Sequence, residues 1–499
     1  MDNPAGRQAM NGGAGGYITD LVYPDFFHRE TSPVWIAGAM AAIGQRTPAL
    51  DRPWRYLDLG CGTGYGTALL AAANPGGQFV GVDINPRHIE RGRALATRLA
   101  NLKFIEAGFR TLAEQGERLE APFDFIVLHG IYSWLSAEEC AAIHRLMERW
   151  LAPGGIVYLH YSTHPGQSAF AGARAMLLRI AALTPGDSTA GINNGIACLR
   201  ALNQAGAGYM REYPQLTGFL REQVKDPGYF AHDWLAADWT PRHVGEVIAD
   251  MEEVGLAFVG SATLLDNVDA LSIPGAALPL IRRIGDIKAR ETARDLARNQ
   301  SQRRDLYRRG LAGLSPDAYR SQLAALRFCA LPALKAGGDL TVDTPIGPAC
   351  VEATMVAPIR SHLAQGPASV AELVAAHPAG PTPSALLQAL LMLVDAGEAH
   401  LVAHGVRGAG RAEAAHRLNR LLADRGGEGG WLAAPAIGSS VATDAHGLGI
   451  ASCLLRDLAL RGPALAKAVQ SHMTCPPDVI ARFEKTIIPR WRALGVLPE

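Results

Sequence analysis

Cysteine is scarce in this chain, and the cysteines that are present stand apart from one another. The 499 residues include seven cysteines, and none of them forms a CxxC pair. An odd number of isolated cysteines argues against a disulfide framework and against a structural zinc site, and it fits a reducing compartment. We therefore expect a cytoplasmic protein that has no disulfide bonds.

An excess of charge of either sign is also missing. Lysine and arginine together number 47, as do aspartate and glutamate, so the formal net charge is zero. A generic nucleic-acid binder needs a basic surface that replaces the counterions of the phosphates. We therefore expect no nucleic-acid partner.

Long apolar runs are absent as well. No stretch reaches 18 uninterrupted apolar residues, and the N-terminus lacks a basic region followed by an apolar core. A transmembrane helix needs the first feature and a secretory signal needs the second. We expect neither membrane insertion nor secretion.

Alternating strand and helix patterns are what the sequence does contain. They run from Trp54 to about residue 165, and they predict a mostly parallel sheet with helices on both faces, a Rossmann-like α/β domain. The alternation stops at residue 168 and returns as a helix at 244–254 followed by the strand-like GLAFVGSATLL. We expect five segments: an N-terminal lid or helical segment at 1–50, the Rossmann-like core at 51–167, a helical insertion with a return to the sheet at 168–270, a helical linker region at 271–340, and a winged-helix-like domain at 345–499.

Two later stretches leave alternatives open. Between residues 282 and 309 there are ten arginines or lysines against four acids, which indicates a solvated helix surface or a docking face for an acidic partner. Residues 354–403 follow the order of a winged helix, which serves either DNA binding or protein contacts. The third helix of this unit (SALLQALLMLVDAG) has no arginine or lysine that could reach bases, so DNA binding is disfavoured.

A glycine-rich turn between the first strand and its helix is the most informative motif. It reads LDLGCGTGYGT, with Asp58 at the strand end and glycines at Gly60, Gly62 and Gly64. Such a turn lets a ligand approach the backbone closely. Dinucleotide sites use G-x-G-x-x-G, but the position that this spacing requires is Tyr65. A carboxylate before the turn suits a cofactor that carries an ammonium group and no pyrophosphate.

A second carboxylate follows the next strand. Asp83 lies 25 residues after Asp58, within GVDINP. A carboxylate at the end of the second strand can accept hydrogen bonds from both ribose hydroxyls. The two features together predict that the chain binds S-adenosylmethionine.

LDLGCGTGYGT and GVDINP resemble the corresponding motifs of class I S-adenosylmethionine-dependent methyltransferases. The resemblance covers residues 50–165 and implies a seven-stranded, Rossmann-like methyltransferase sheet. It implies that the cofactor is held along the glycine turn, at the ribose carboxylate and near the adenine after the third strand. The residues expected to bind the cofactor are Asp58, Gly60, Cys61, Gly62, Gly64, Asp83, Ile84, Gly108, Phe109 and His129.

A narrower resemblance extends over most of the chain. HGIYSWLS (129–136), YLHYSTHPG (158–166), YFAHDWL (229–235) and GLAFVGSA (255–262) resemble bacterial methyltransferases that carry a methyltransferase regulatory domain. The best-known members of that group methylate lysines of outer-membrane proteins. The resemblance therefore implies a protein or peptide substrate that is methylated on lysine.

Methyl transfer requires little from the protein beyond alignment of the nucleophile, because the cofactor supplies the driving force. The acceptor is expected near the ends of the fourth and fifth strands, at His129, Tyr132, Trp134 and Tyr161. The three aromatic residues could form a poorly hydrated channel that favours a neutral lysine, or they could be core residues. His129 could be a base for an oxygen nucleophile or a hydrogen-bond partner of the cofactor. We expect no metal, although His160 and His164 are four residues apart.

Alternatives to lysine methylation also remain. One is a small-molecule O- or N-methyltransferase of a biosynthetic pathway, and another is a non-catalytic scaffold that binds the cofactor. The aromatic cluster Tyr23, Phe26, Phe27 and His28 could be a lid over the pocket or an ordinary docking segment. The insertion and the helices after residue 280 offer surfaces for a homodimer, and light scattering would test this.

Overall fold

The computed structural model describes residues 23–115, 119–222, 234–236, 238–310, 313–402 and 412–499. The glycine-rich start of the chain and most of the YFAHDWL motif lie outside these ranges. Within the described ranges, no helix combines the length and the apolar character that crossing a membrane requires.

A seven-stranded sheet organises the first 310 residues. Its strand order is β3-β2-β1-β4-β5-β7-β6, in which β1 to β5 are parallel and β7 runs antiparallel to both of its neighbours. The predicted mostly parallel, seven-stranded sheet is therefore confirmed. The strands are β1 (Trp54–Leu59), β2 (Gly77–Asp83), β3 (Leu102–Glu106), β4 (Phe123–Leu128), β5 (Leu151–Ser162), β6 (Leu256–Ser261) and β7 (Gln302–Arg309).

Helices cover both faces of this sheet, because the parallel strands are apolar on both sides. The first five helices are α1 (Pro33–Ala42), α2 (Tyr65–Ala73), α3 (Pro86–Ala96), α4 (Phe109–Glu114) and α5 (Ala137–Trp150). Helices α1 to α3 contribute to one apolar core, and α4 and α5 contribute to the other. Ser136 caps α5 as predicted, since its hydroxyl accepts the backbone N–H of Glu139 at 3.3 Å.

The insertion after β5 is helical, as expected. It contains α6 (Ala171–Leu183), α7 (Ser188–Gln204), α8 (Gly208–Glu212) and α9 (Gln215–Glu222). These helices share a small apolar core of their own, which includes Leu177, Ile196 and Trp234. The insertion therefore forms a separate layer beside the carboxyl ends of the strands.

The return to the sheet corrects one prediction. Residues 271–340 were expected to be a helical linker, but they include β7, which lies inside the main sheet between β5 and β6. The helices between the insertion and the C-terminal units are α10 (Val244–Glu253), α11 (Asp269–Ser272), α12 (Leu278–Arg282), α13 (Ile287–Arg298) and α14 (Pro316–Ala325). The basic stretch at 282–309, for which a solvated helix surface and a docking face were both considered, is therefore divided between helices and a buried strand.

The strand β7 tolerates its charges because buried acids surround Arg303. This guanidinium contacts Glu291, Asp295 and Asp305, and all four side chains are at most 4% exposed. A buried charge is stable only when it is paired in this way. The network fastens α13 to β7.

The first C-terminal unit has the predicted order of a winged helix. A three-stranded sheet, β11-β8-β12, packs with three helices, and a β9–β10 hairpin precedes them. The elements are β8 (Arg327–Ala330), β9 (Leu340–Thr344), β10 (Gly347–Val351), α15 (Ala353–Gln365), β11 (Ala368–Ser369), α16 (Val370–Ala376), α17 (Pro383–Asp395) and β12 (Ala399–Val402). Most of α17 is buried, and the Arg29 side chain donates to the carbonyl groups of its last residues, Val394 and Asp395. This helix is therefore a core element of the protein.

A second C-terminal unit completes the chain. It combines the β13–β14 hairpin with helices around a separate apolar core. Its elements are α18 (Glu413–Arg425), β13 (Gly429–Ala434), β14 (Ser439–Asp444), α19 (Ala445–Arg456), α20 (Gly462–Gln470), α21 (Pro477–Arg482), a π-helix (Phe483–Ile487) and α22 (Ile488–Ala493). The region predicted as one domain at 345–499 thus contains two packing units.

Candidate active site

The glycine-rich turn connects β1 to α2 with a left-handed backbone at alternate residues. The φ angles of Gly60, Gly62 and Gly64 are 77°, 55° and 71°, values that residues with a Cβ rarely adopt. The backbone N–H groups of Gly60 and Cys61 donate to the Val82 carbonyl at 2.8 and 3.0 Å. The turn is thus fastened to β2, beside the position of Asp83.

The three glycines differ in what surrounds them. A Cβ on Gly64 would lie 2.4 Å from the Phe104 ring, and one on Gly60 would lie 2.7 Å from Ile131. A Cβ on Gly62 would meet nothing within 4 Å. Gly62 faces open space in the cavity, whereas Gly64 is a packing position. Gly64 is not among the residues that line the cavity, and its expected contact with the cofactor stays a prediction.

Two carboxylates flank the turn. Asp58 accepts a hydrogen bond from the Thr67 hydroxyl at 2.6 Å, and burial raises its pKa to about 6. Asp83 accepts the backbone N–H groups of Gly62 at 2.9 Å and of Asn85 at 2.8 Å. These bonds orient both carboxylates toward the same space.

That space is a cavity of about 490 Å³ at the carboxyl ends of β1, β2, β4 and β5. The volume lies within the range of small-molecule and cofactor sites. Most of the residues predicted for the site line the cavity: Asp58, Gly60, Cys61, Gly62, Asp83, Ile84, Gly108, Phe109, His129, Trp134 and Tyr161.

Of the three aromatic residues expected along an acceptor channel, one is misplaced. Tyr132 is 2% exposed in the core and its hydroxyl is 3.0 Å from His144 Nε2, so its expected position on the wall is wrong. Tyr161 lines the cavity, and its side chain is held in place because its hydroxyl donates a hydrogen bond to Asp305 at 2.7 Å. Trp134 lies at the cavity wall beside Trp239, with ring centroids 6.2 Å apart.

Three histidine rings are stacked along the cavity. The ring of His129 lies 3.7 Å from that of His28 and 4.3 Å from that of His160, measured between centroids. Burial lowers the pKa of His28 to about 4 and that of His160 to about 3, and it lowers the pKa of His129 as well. All three rings are therefore neutral at physiological pH. The stack has no signal in the sequence, because the three histidines lie far apart along the chain.

His160 and His164 do not form a pair. His160 joins the stack and contacts Gln302 Oε1 at 3.3 Å, whereas His164 Nδ1 lies 2.7 Å from the Ser168 hydroxyl, outside the cavity. In the described parts of the chain, no three histidine, cysteine, aspartate or glutamate side chains are grouped so that they could hold a metal ion.

Two wall residues of β7 were also missed. Gln302 and Arg304 lie opposite Ser162 and His160 of β5 in the antiparallel register, and both line the cavity. The strand reads QRRDLYRR, which lacks the alternation of apolar residues that indicates a strand. Only the pairing partners of β7 bring these two residues to the site.

Residues 23–28, here called the covering segment, form part of the cavity wall. Phe26 and His28 line it, while Phe27 is buried against Trp431 of β13, with ring centroids 5.3 Å apart. The Tyr65 hydroxyl donates to the Trp431 carbonyl at 3.2 Å and accepts its N–H at 3.0 Å. The second C-terminal unit thus holds both the covering segment and the start of α2.

Comparisons with known proteins agree with this architecture. Residues 50–177 match the family described as a methyltransferase domain, and residues 226–309 match the one described as a predicted methyltransferase regulatory domain. Over 86% of its length the chain is 31% identical to the uncharacterized protein sll1526 of Synechocystis sp., of which it covers 85%. A shorter match, 34% identical over 27% of this chain and 46% of the relative, is to the trans-aconitate 2-methyltransferase of Methylobacterium radiotolerans.

A solved structure shares the fold of nearly the whole chain. PKMT2 from Rickettsia typhi in complex with AdoHcy aligns with a TM-score of 0.73, covering 95% of this chain and 99% of that one at 18% identity. The C-terminal units therefore belong to the shared fold.

Proposed function

This chain belongs to the S-adenosylmethionine-dependent methyltransferases that carry a methyltransferase regulatory domain, and we propose that it methylates lysine side chains of a protein substrate. The observation that carries the proposal is a cavity whose wall combines the Trp134 ring with the stacked, neutral imidazole rings of His28, His129 and His160. PKMT2, a protein lysine methyltransferase by its name, shares the fold over 95% of this chain.

The wall of the cavity fits the cofactor. Bound S-adenosylmethionine presents a methyl group on a positively charged sulfur. The Asp58 carboxylate suits its ammonium group, and the open backbone at Gly62 allows close approach. Asp83 suits the ribose hydroxyls, with Ile84, Phe109 and neighbouring Gly108 beside the adenine.

Lysine is a nucleophile only when its amine is neutral, and its ordinary pKa is about 10.4. A poorly hydrated wall disfavours the ammonium form. The rings of His28, His129 and His160 are neutral and supply no negative charge that would stabilise an ammonium group. These residues therefore lower the pKa of an entering lysine and raise the fraction that can attack.

A second candidate is O-methylation of a small carboxylate. Arg304 in the cavity wall favours it, because a guanidinium attracts an anionic acceptor. In this case His129, which lies 2.9 Å from the Tyr158 hydroxyl, would orient the acceptor oxygen. The match to a trans-aconitate methyltransferase supports this alternative.

The two candidates predict different products. Purified protein is incubated with a bacterial lysate and S-adenosylmethionine that carries a labelled methyl group. We expect label in protein that disappears after protease treatment and survives mild alkali, because N-methyl bonds resist alkali and methyl esters do not. Label confined to small extractable compounds would contradict lysine methylation.

Two control variants distinguish labelling by the purified protein from labelling by other proteins in the lysate. Asp83→Asn keeps the shape of the side chain but removes the charge that suits the ribose, and it is expected to abolish labelling. Asp317→Asn changes an exposed carboxylate that contacts Arg320, far from the cavity, and is expected to label as the wild type does.

A further inference from the structure

One arginine of the cavity wall has a charge without a partner of opposite sign. Arg304 lines the cavity, and its Nη1 donates one long hydrogen bond, 3.4 Å, to the Thr263 hydroxyl. Its guanidinium also influences the Tyr158 hydroxyl, whose pKa it lowers against the larger effect of burial. Among the described residues, no carboxylate oxygen lies within 4.0 Å of this guanidinium.

Each of the other arginines of β7 contacts a carboxylate or a backbone carbonyl. Arg303 is held by three buried carboxylates. Arg308 donates to the Arg46 carbonyl and Arg309 donates to the Met147 carbonyl, each at 2.8 Å. Withdrawing a charge from water without a partner costs free energy. Of the arginines of this strand, Arg304 is the one that lines the cavity, where a ligand can reach its guanidinium.

The neighbouring side chains leave that charge uncancelled. His28, His129 and His160 are neutral, and the positive charge of Arg304 contributes to the lowering of the pKa of each. His160 Nδ1 is buried and has no hydrogen-bond partner in the part of the chain that is described. The wall therefore offers an uncancelled positive charge to whatever enters the cavity.

We propose that Arg304 anchors a subsite that binds a carboxylate group. A guanidinium presents paired N–H donors whose geometry matches the two oxygens of a carboxylate. The carboxylate comes either from the amino-acid end of the cofactor or from the acceptor. The subsite does not depend on whether nitrogen or oxygen is methylated, so it stands apart from the lysine proposal.

Calorimetric titration of the full-length protein tests the subsite. The probes are S-adenosylhomocysteine, its decarboxylated analogue, and trans-aconitate added to protein saturated with S-adenosylhomocysteine. The variants are Arg304→Gln, Arg304→Lys and, as a matched control on the same strand, Arg308→Gln. Loss of a hydrogen-bonded charge pair is expected to weaken binding about 10- to 100-fold.

The pattern of losses identifies the source of the carboxylate. If Arg304→Gln weakens S-adenosylhomocysteine but not the decarboxylated analogue, the cofactor supplies the group. If it weakens only trans-aconitate, the acceptor supplies it. In either case Arg304→Lys recovers part of the affinity and Arg308→Gln binds as the wild type does. The proposal is overturned if Arg304→Gln binds all three probes normally, or weakens both adenosyl probes equally.

Discussion

Replacing Gly62 or Gly64 with alanine, one at a time, distinguishes an effect on cofactor affinity from an effect on protein stability. Both residues have positive φ angles, so each alanine adds backbone strain of about 1–2 kcal/mol. At Gly64 the new Cβ would also lie 2.4 Å from the Phe104 ring. Carbon atoms prefer a separation of roughly 3.5–4.0 Å, and relieving such overpacking costs about 1–3 kcal/mol. The Gly64→Ala variant is thus expected to be the less stable one.

For cofactor affinity the order should be reversed: Gly62→Ala should lose more affinity than Gly64→Ala. The Gly62→Ala methyl group would occupy open cavity space where a ligand approaches the backbone. We expect its affinity for S-adenosylhomocysteine to fall at least about tenfold, equivalent to 1.4 kcal/mol. Gly64 has no such space, so its variant should retain more affinity while it remains folded.

Gly206 provides the matched control for backbone strain. It has a φ of 72° and open surroundings, and it lies between α7 and α8, away from the cavity. Thermal unfolding and calorimetric titration of all three variants give the two rankings. Normal S-adenosylhomocysteine affinity in Gly62→Ala would refute the reasoning, as would a Gly64→Ala midpoint equal to that of Gly206→Ala.

Three further predictions concern other parts of the structure. Because the pKa of Asp58 is raised to about 6, affinity for S-adenosylhomocysteine should be constant only above about pH 7 and should fall as the pH drops through 6, by at most about tenfold per pH unit. Protonation of Asp58 removes the charge that faces the ammonium group, so Asp58→Asn should abolish this dependence in titrations across pH. Trp431→Ala should weaken S-adenosylhomocysteine binding several-fold, because it releases Phe27, whereas Trp431→Phe should largely preserve it in the same titration. Arg303→Met should destabilise the protein by about 3–5 kcal/mol in urea unfolding, because it leaves the buried carboxylates of Asp295 and Asp305 without an arginine partner.

Each of these three predictions can be contradicted by a specific result. A pH profile that stays flat in the wild type would exclude the proposed role of Asp58. Equal affinity of the Trp431→Ala variant would show that the covering segment holds its position without this contact. An unfolding midpoint of Arg303→Met within error of the wild type would mean that the buried network does not stabilise β7.

The parts of the fold that could be predicted are those with local signals. The strands β1 to β5 are apolar runs bounded by turns, and the glycine turn requires residues without a Cβ at Gly60 and Gly62. The carboxylates Asp58 and Asp83 follow directly because parallel strands bring their carboxyl ends to one edge. Strand, turn and cofactor motif therefore support one another in the sequence.

The missed part of the site depends on long-range pairing. The strand β7 has no apolar alternation, since its core face carries Arg303 and Asp305, whose partners include Glu291 and Asp295 of α13. Its opposite face brings Arg304 to the cavity. No local pattern reveals a strand whose core contacts are ion pairs.

The orientation of single side chains was also beyond the sequence. Tyr132 and Trp134 belong to one short 3-10 helix that follows β4. The first points into the core toward His144, and the second reaches the cavity. The two residues are only two positions apart in the sequence, yet their side chains point in different directions. The packing of α5, rather than the residue type, sets these directions.

Identification of the labelled amino acid tests the central claim most directly. Protein labelled by the wild-type enzyme is hydrolysed completely to amino acids and separated by chromatography. Lysine methylation predicts label that co-elutes with mono-, di- or trimethyllysine and that is absent when the Asp83→Asn variant replaces the wild type. Label recovered as volatile methanol, or in any amino acid other than methylated lysine, would contradict the account.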